Sequence, residues 1–67
     1  MLVITGYDQD GNAVRLTVNR NPNTSGAILR LYEPPGQREE FENDLEGRLI
    51  GGIILDAADA LALQKNL

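Results

Sequence analysis

The residues of this chain that could most readily do chemistry are the oxygen-bearing side chains between positions 8 and 12. Asp8, Asp10 and Asn12 supply such oxygens at alternating positions, as positions 1, 3 and 5 of the common calcium-binding loop do. That loop also needs glycine at its position 6 and glutamate at its position 12, where this chain has Ala13 and Asn19. We therefore interpret the segment as a turn and predict neither tight calcium binding nor any other metal or cofactor.

Nucleophilic and acid–base catalysis have few side chains to use. The chain contains no histidine and no cysteine, and its one serine and one lysine are Ser25 and Lys65. Ser25 lies in a polar, turn-forming stretch without a neighbouring base, so its hydroxyl is expected to bond to local backbone. The composition predicts a protein that is not an enzyme and has no catalytic residues.

The charge balance is acidic, with ten acidic against six basic residues and a net charge of −4. This balance disfavours direct binding to nucleic acid and to anionic membrane surfaces. The acids of the second half form either a solvated helix face or a surface that meets a protein partner. The candidate partner-binding acids are Glu39, Glu42, Asp44, Glu46, Asp56 and Asp59.

Length limits how much apolar surface this chain can bury by itself. A chain of 67 residues forms one domain, residues 1–67, with a marginal core and no disulfide to reinforce it. Self-association is the remaining device, and we predict a homodimer. The apolar opening is too short for a signal peptide and no stretch is long enough to span a membrane, so we predict a cytoplasmic protein.

Two β-rich segments, Leu2 to Asp8 and Ala13 to Asn19, flank a polar stretch that contains Asp10 and Gly11. An Asp-Gly pair between such segments is a strong hairpin signal. The second segment alternates, which directs Val14, Leu16 and Val18 to a core and Arg15 and Thr17 to water.

The register of this hairpin has two alternatives, because the loop length decides which residues of the first strand join the apolar ones of the second. A two-residue turn places Val3, Thr5 and Tyr7 on that side, and a three-residue loop with a bulge places Leu2, Ile4 and Gly6 there.

A third strand is predicted at Ala27 to Glu33, after a polar loop that contains proline and glycine. Alternation directs Leu29 and Leu31 inward. The opposite side carries Ile28, Arg30 and Tyr32. These three residues form a small partly apolar patch, and we add them to the candidate partner-binding residues.

The last third has two interpretations. One amphipathic helix from about Arg38 to Gln64 is favoured, because the apolar residues fall on one half of a helical wheel. Asn43 with Glu46 would cap it, and Arg38–Glu42 and Asp44–Arg48 would be paired at i,i+4. The alternative is a fourth strand at 48–55, followed by a short helix at 57–65 that Asp56 caps.

The predicted fold is α+β, a three-stranded and mainly antiparallel sheet (a hairpin plus a third strand) with one long C-terminal amphipathic helix across one face. The predicted function is that of a small acidic, non-catalytic protein-interaction module that binds or inhibits a larger protein. The alternative is an acidic mimic of nucleic acid that blocks a DNA- or RNA-binding enzyme, as phage-encoded inhibitors do.

Overall fold

The computed structural model describes residues 1–36, 38–42 and 47–67. Its strands form one antiparallel sheet in chain order, so each strand pairs with the next. The elements are β1 (Leu2–Tyr7), β2 (Ala13–Arg20), β3 (Ala27–Glu33), β4 (Arg48–Leu55) and α1 (Ala57–Lys65). The fold is therefore α+β, with four strands rather than three.

The predicted long C-terminal helix is wrong, and the alternative of a fourth strand and a short helix fits. β4 pairs with β3, which offers it a free edge, and the β-branched Ile53 and Ile54 suit this extended backbone. The helix begins after Asp56, whose Oδ1 accepts a hydrogen bond from the Asp59 backbone N–H at 2.9 Å, as predicted. The proposed cap formed by residues 43 and 46 lies outside the described residues.

The first hairpin is confirmed and takes the longer of the two predicted loops. Gly11 has φ 85°, and the Asp8 N–H donates to the Asn12 carbonyl at 2.9 Å. These features are typical of a three-residue loop with a glycine bulge. Asp8 Oδ1 also accepts hydrogen bonds from the backbone N–H groups of Asp10 and Asn12, both at 2.9 Å. The bond from Asn12 is the main cause that lowers the pKa of the Asp8 carboxyl.

Cross-strand pairing gives the sheet two distinct faces. The first, called here the apolar face, carries Leu2, Ile4, Val14, Leu16, Val18, Leu29, Leu31 and Ile53. The second, called the mixed face, carries Thr5, Arg15, Thr17, Ile28, Arg30, Tyr32, Leu49 and Ile54. The predicted grouping of Ile28 with Arg30 and Tyr32 on one side of β3 is therefore confirmed.

The helix does not lie across either face as predicted. Its main contact is with β4, and none of its residues is buried. The molecule measures 37 × 23 × 16 Å with a radius of gyration of 13.0 Å, against about 11 Å for a compact domain of this length. The sheet is thus a single layer, whereas domains ordinarily bury a sheet face against a second layer.

Candidate functional site

The apolar face is a continuous surface that crosses all four strands. One row of directly paired residues is Leu2, Val18, Leu29 and Ile53. Outer members of the face remain in water, since Leu2, Ile4 and Ile53 are 55, 48 and 56% exposed. Patches of this kind on a soluble chain ordinarily mark an interaction surface.

Surface area supports the same view. The chain exposes 5197 Å², whereas a folded monomer of 7.3 kDa is expected to expose about 4200 Å². The excess is similar to the roughly 800 Å² that each partner buries in a protein–protein interface of standard size. The chain as a whole therefore exposes about as much additional surface as one partner buries in an ordinary interface.

Half of the mixed face is covered by the segment that leads from β3 towards β4. Arg15 is only 5% exposed there, with its Nε donating to Thr5 Oγ1 at 3.1 Å and its guanidinium 4.1 Å from the centre of the Phe41 ring. The prediction that Arg15 faces water is wrong, because Phe41 returns over β2 and shields the arginine. Nothing in the alternating pattern of β2 signals this contact.

Tyr32 belongs to the covered half as well. A Cβ added to Gly47 would lie 3.1 Å from the Tyr32 Cβ and 3.4 Å from the Phe41 ring. Of the three candidates on β3, Tyr32 is therefore shielded by the returning chain, while Ile28 and Arg30 lie on the part of the mixed face that this segment leaves open.

An open groove of about 800 Å³ runs along β3 and β4 at the open half of the mixed face, and Leu29 and Ile53 of the apolar face also border it. Leu49 and Ile54 border it with 56 and 72% of their surface exposed. Arg30 also lines it, with its Cγ 3.7 Å from where a Cβ on Gly52 would stand. Leu49 and Ile54 were not among the predicted site residues, although the β-branched, glycine-containing run of β4 was a usable signal.

The acidic residues do not form one stripe among the described residues. One group is at the end of the sheet where β3 finishes, where Asp8, Glu33, Glu39 and Glu40 line a polar cleft. The candidates Asp56 and Asp59 lie at the opposite end, beside the helix start. The length of β4, eight residues, separates the groups by roughly 25 Å.

Two ion pairs involve these acids. Arg38 Nη1 lies 3.2 Å from Glu42 Oε2, which confirms the predicted pair, although the segment around it is not helical. Arg48 pairs with Glu33 across the end of β3 and β4. The candidates Asp44 and Glu46, and with them the predicted Asp44–Arg48 pair, lie outside the described residues.

Comparisons with protein-family models, characterised proteins and solved structures gave no match. Within the described ranges, no group of three or more metal-ligating side chains could hold an ion. No helix in the same ranges is long and apolar enough to cross a membrane. The geometry and chemistry of the two faces are thus the basis on which function can be argued.

Proposed function

We propose that this chain is a small, non-catalytic protein-interaction module whose apolar face is covered by another protein surface. The observation that carries the proposal is the single-layered sheet, on which Ile4 and Ile53 stay about half exposed. Burying apolar area of this kind stabilises an assembly by roughly 25 cal/mol per Å². The exposed face is therefore a source of binding free energy.

The protein that covers the apolar face in this proposal is a second copy of the chain, so the functional assembly is a homodimer. The face suits two-fold pairing because its eight residues are aliphatic and can pack against themselves without burying charge. On that side of the sheet, the charged Arg20, Glu33 and Arg48 lie at strand ends. The excess surface area also matches what one subunit buries in a standard interface.

The mixed face remains outside such a dimer and is free to bind a larger partner, which the module would occupy or inhibit. We place this activity in the cytoplasm, because a chain without cysteine gains nothing from an oxidising compartment. Mimicry of nucleic acid receives less support, since the described acids form two separate groups and a mimic needs closely repeated charges.

Sedimentation equilibrium at micromolar concentration tests the dimer. We expect the wild-type chain to sediment at twice 7.3 kDa and Ile53→Asp to remove this association, since the substitution places a charge in the apolar interface. Leu61→Asp is the matched control, because Leu61 is similarly exposed, at 51%, but lies on α1.

A wild-type chain that sediments as a monomer would contradict the dimer and leave the apolar face as the surface for a different protein. Circular dichroism of both variants shows whether their secondary structure persists. If Ile53→Asp keeps both its structure and its wild-type mass, the apolar face is not the interface.

A further inference from the structure

We propose that the free edge of β4 and the open half of the mixed face bind an extended, acidic segment of a partner protein as a fifth strand. This proposal rests on the proposed function as a protein-interaction module. It concerns a different surface from the apolar face, and it specifies the chemistry of the partner.

The outer edge of β4 is the first part of this site. Among the described residues β4 pairs with β3 alone, so its other edge presents backbone groups that no described strand pairs. Edge strands are ordinarily protected by charged residues, proline, short length or a β-bulge. Residues 49–55 of this eight-residue strand contain neither charge nor proline, and the register shift against β3 lies at Ile50, which leaves residues 51–55 regularly paired. An edge of this kind suits strand addition, in which backbone hydrogen bonds provide much of the affinity.

Arg30 is the second part of the site. It makes no hydrogen bond or ion pair within the described residues, whereas Arg15, the other arginine on the mixed face, is held by Thr5 and Phe41. The strand positions of the mixed face include no carboxylate. The groove therefore has a local positive charge on a chain whose net charge is −4.

Gly52 leaves the side chain of Arg30 accessible from the outer edge of β4. It is the residue of β4 directly opposite Arg30, and a Cβ there would approach the Leu29 carbonyl oxygen to 2.8 Å. With no side chain at this position, nothing on β4 separates Arg30 from a strand added outside it. A strand added outside β4 would lie about 9.6 Å from β3, twice the spacing of neighbouring strands, a distance that the arginine and a glutamate of the added strand span together.

These features define the segment that fits. A carboxylate opposite Gly52 can form paired hydrogen bonds with the planar guanidinium of Arg30. Apolar side chains two positions before and after it would lie opposite Ile50 and Ile54, which line the groove. A second copy fits this edge poorly, because two-fold pairing of β4 would bring two Arg30 side chains onto one face without a carboxylate between them.

The test uses the peptide acetyl-Val-Thr-Glu-Thr-Val-amide and the same peptide with lysine at its centre. Each is titrated into the isotope-labelled full chain while backbone amide shifts are recorded by NMR. We expect shifts along β4 and roughly tenfold tighter binding of the glutamate peptide. The net charge of the chain by itself favours the lysine peptide, so a preference for glutamate reports on Arg30.

Two variants complete the design. Arg30→Gln should abolish the preference for glutamate, while Arg20→Gln, the same change at an exposed arginine at the end of β2, should leave it intact. Equal binding of the two peptides, shifts that map to β1, or no shifts at millimolar peptide would overturn the proposal. Shifts of β4 that depend on protein concentration alone would assign the edge to a second copy. None of these results alters the sedimentation test of the apolar face.

Discussion

The two faces of this sheet share one backbone, but the mixed face buries a charged residue while the apolar face leaves aliphatic residues exposed. On the mixed face Arg15 is 5% exposed, and on the apolar face Ile53 is 56% exposed. The arginine is shielded because Phe41 lies over it, while no comparable segment of the described ranges returns over Ile53. Burial in this small domain is thus decided by where the β3–β4 connection passes and not by the hydropathy of the strands.

The two faces also differ in whether their side chains are packed within one chain or between molecules. On the mixed face, the arginine stem and the Phe41 ring pack within one chain, with a hydrogen bond to Thr5 to satisfy part of the guanidinium. On the apolar face, comparable packing would come from the second copy proposed above. The mixed face should therefore respond to substitution at any protein concentration, and the apolar face in a concentration-dependent way.

The largest effect within one chain is expected at Arg15. Arg15→Ala removes the stacked stem, the contact with Phe41 and the bond to Thr5, and should lower the free energy of unfolding by about 2–3 kcal/mol. Thr17→Ala, on the same strand and face, should change it by less than about 0.5 kcal/mol. Urea unfolding at one fixed protein concentration measures both. Equal losses in the two variants would show that the covered half of the mixed face has no special role.

A smaller effect is expected from the glycine pair in β4. Gly52→Ala should destabilise the chain by about 1–3 kcal/mol, because its Cβ would approach the Leu29 carbonyl oxygen to 2.8 Å. Gly51→Ala meets nothing within 4 Å and should stabilise by about 0.4–1 kcal/mol, since alanine restricts the unfolded chain. Thermal unfolding of the two variants compares them directly, and a Gly52→Ala variant as stable as Gly51→Ala would contradict this close approach.

The smallest effect is expected at the hairpin tip, which belongs to neither face. The backbone N–H of Asn12 is the main cause that lowers the pKa of Asp8 in the folded chain. The ionised Asp8 carboxylate therefore stabilises the folded chain above the unfolded pKa of about 3.9. This contribution is lost as pH falls through the lower pKa of the folded chain. The stability difference between wild type and Asp8→Asn, followed by urea unfolding from pH 7 to pH 2, should shrink on acidification. A stability difference that grows on acidification would contradict the lowered pKa of Asp8.

Local sequence signals predicted the first three strands, because alternation and turn residues act over a few positions. They did not decide between the two interpretations of β4. Ile50, Ile53 and Ile54 are spaced three and four apart, as on a helix face, yet they are also β-branched residues that suit a strand. The free edge of β3 decides the outcome, and this edge exists only once the sheet has formed.

The candidate site was predictable to a similar degree. Alternation along β3 correctly grouped Ile28 with Arg30 on one side. The partition of that side into covered and open halves depends on Phe41, which lies eight residues beyond the end of β3 in a stretch without helical or strand periodicity. Leu49 and Ile54 could join Ile28 only after β4 was recognised as a strand.

The unequal connections of the meander set the order in which its strands assemble. The loops 8–12 and 21–26 are short, whereas β3 and β4 are joined by 34–47. Closing this longer loop costs about 1 kcal/mol more in chain entropy than closing the first. The short loops therefore allow β1, β2 and β3 to pair with one another before β4 pairs with β3. β4 is an edge strand whose side chains are mostly exposed, and its detachment releases the longest loop. Its amide protons should therefore exchange with solvent sooner than those of the central β2.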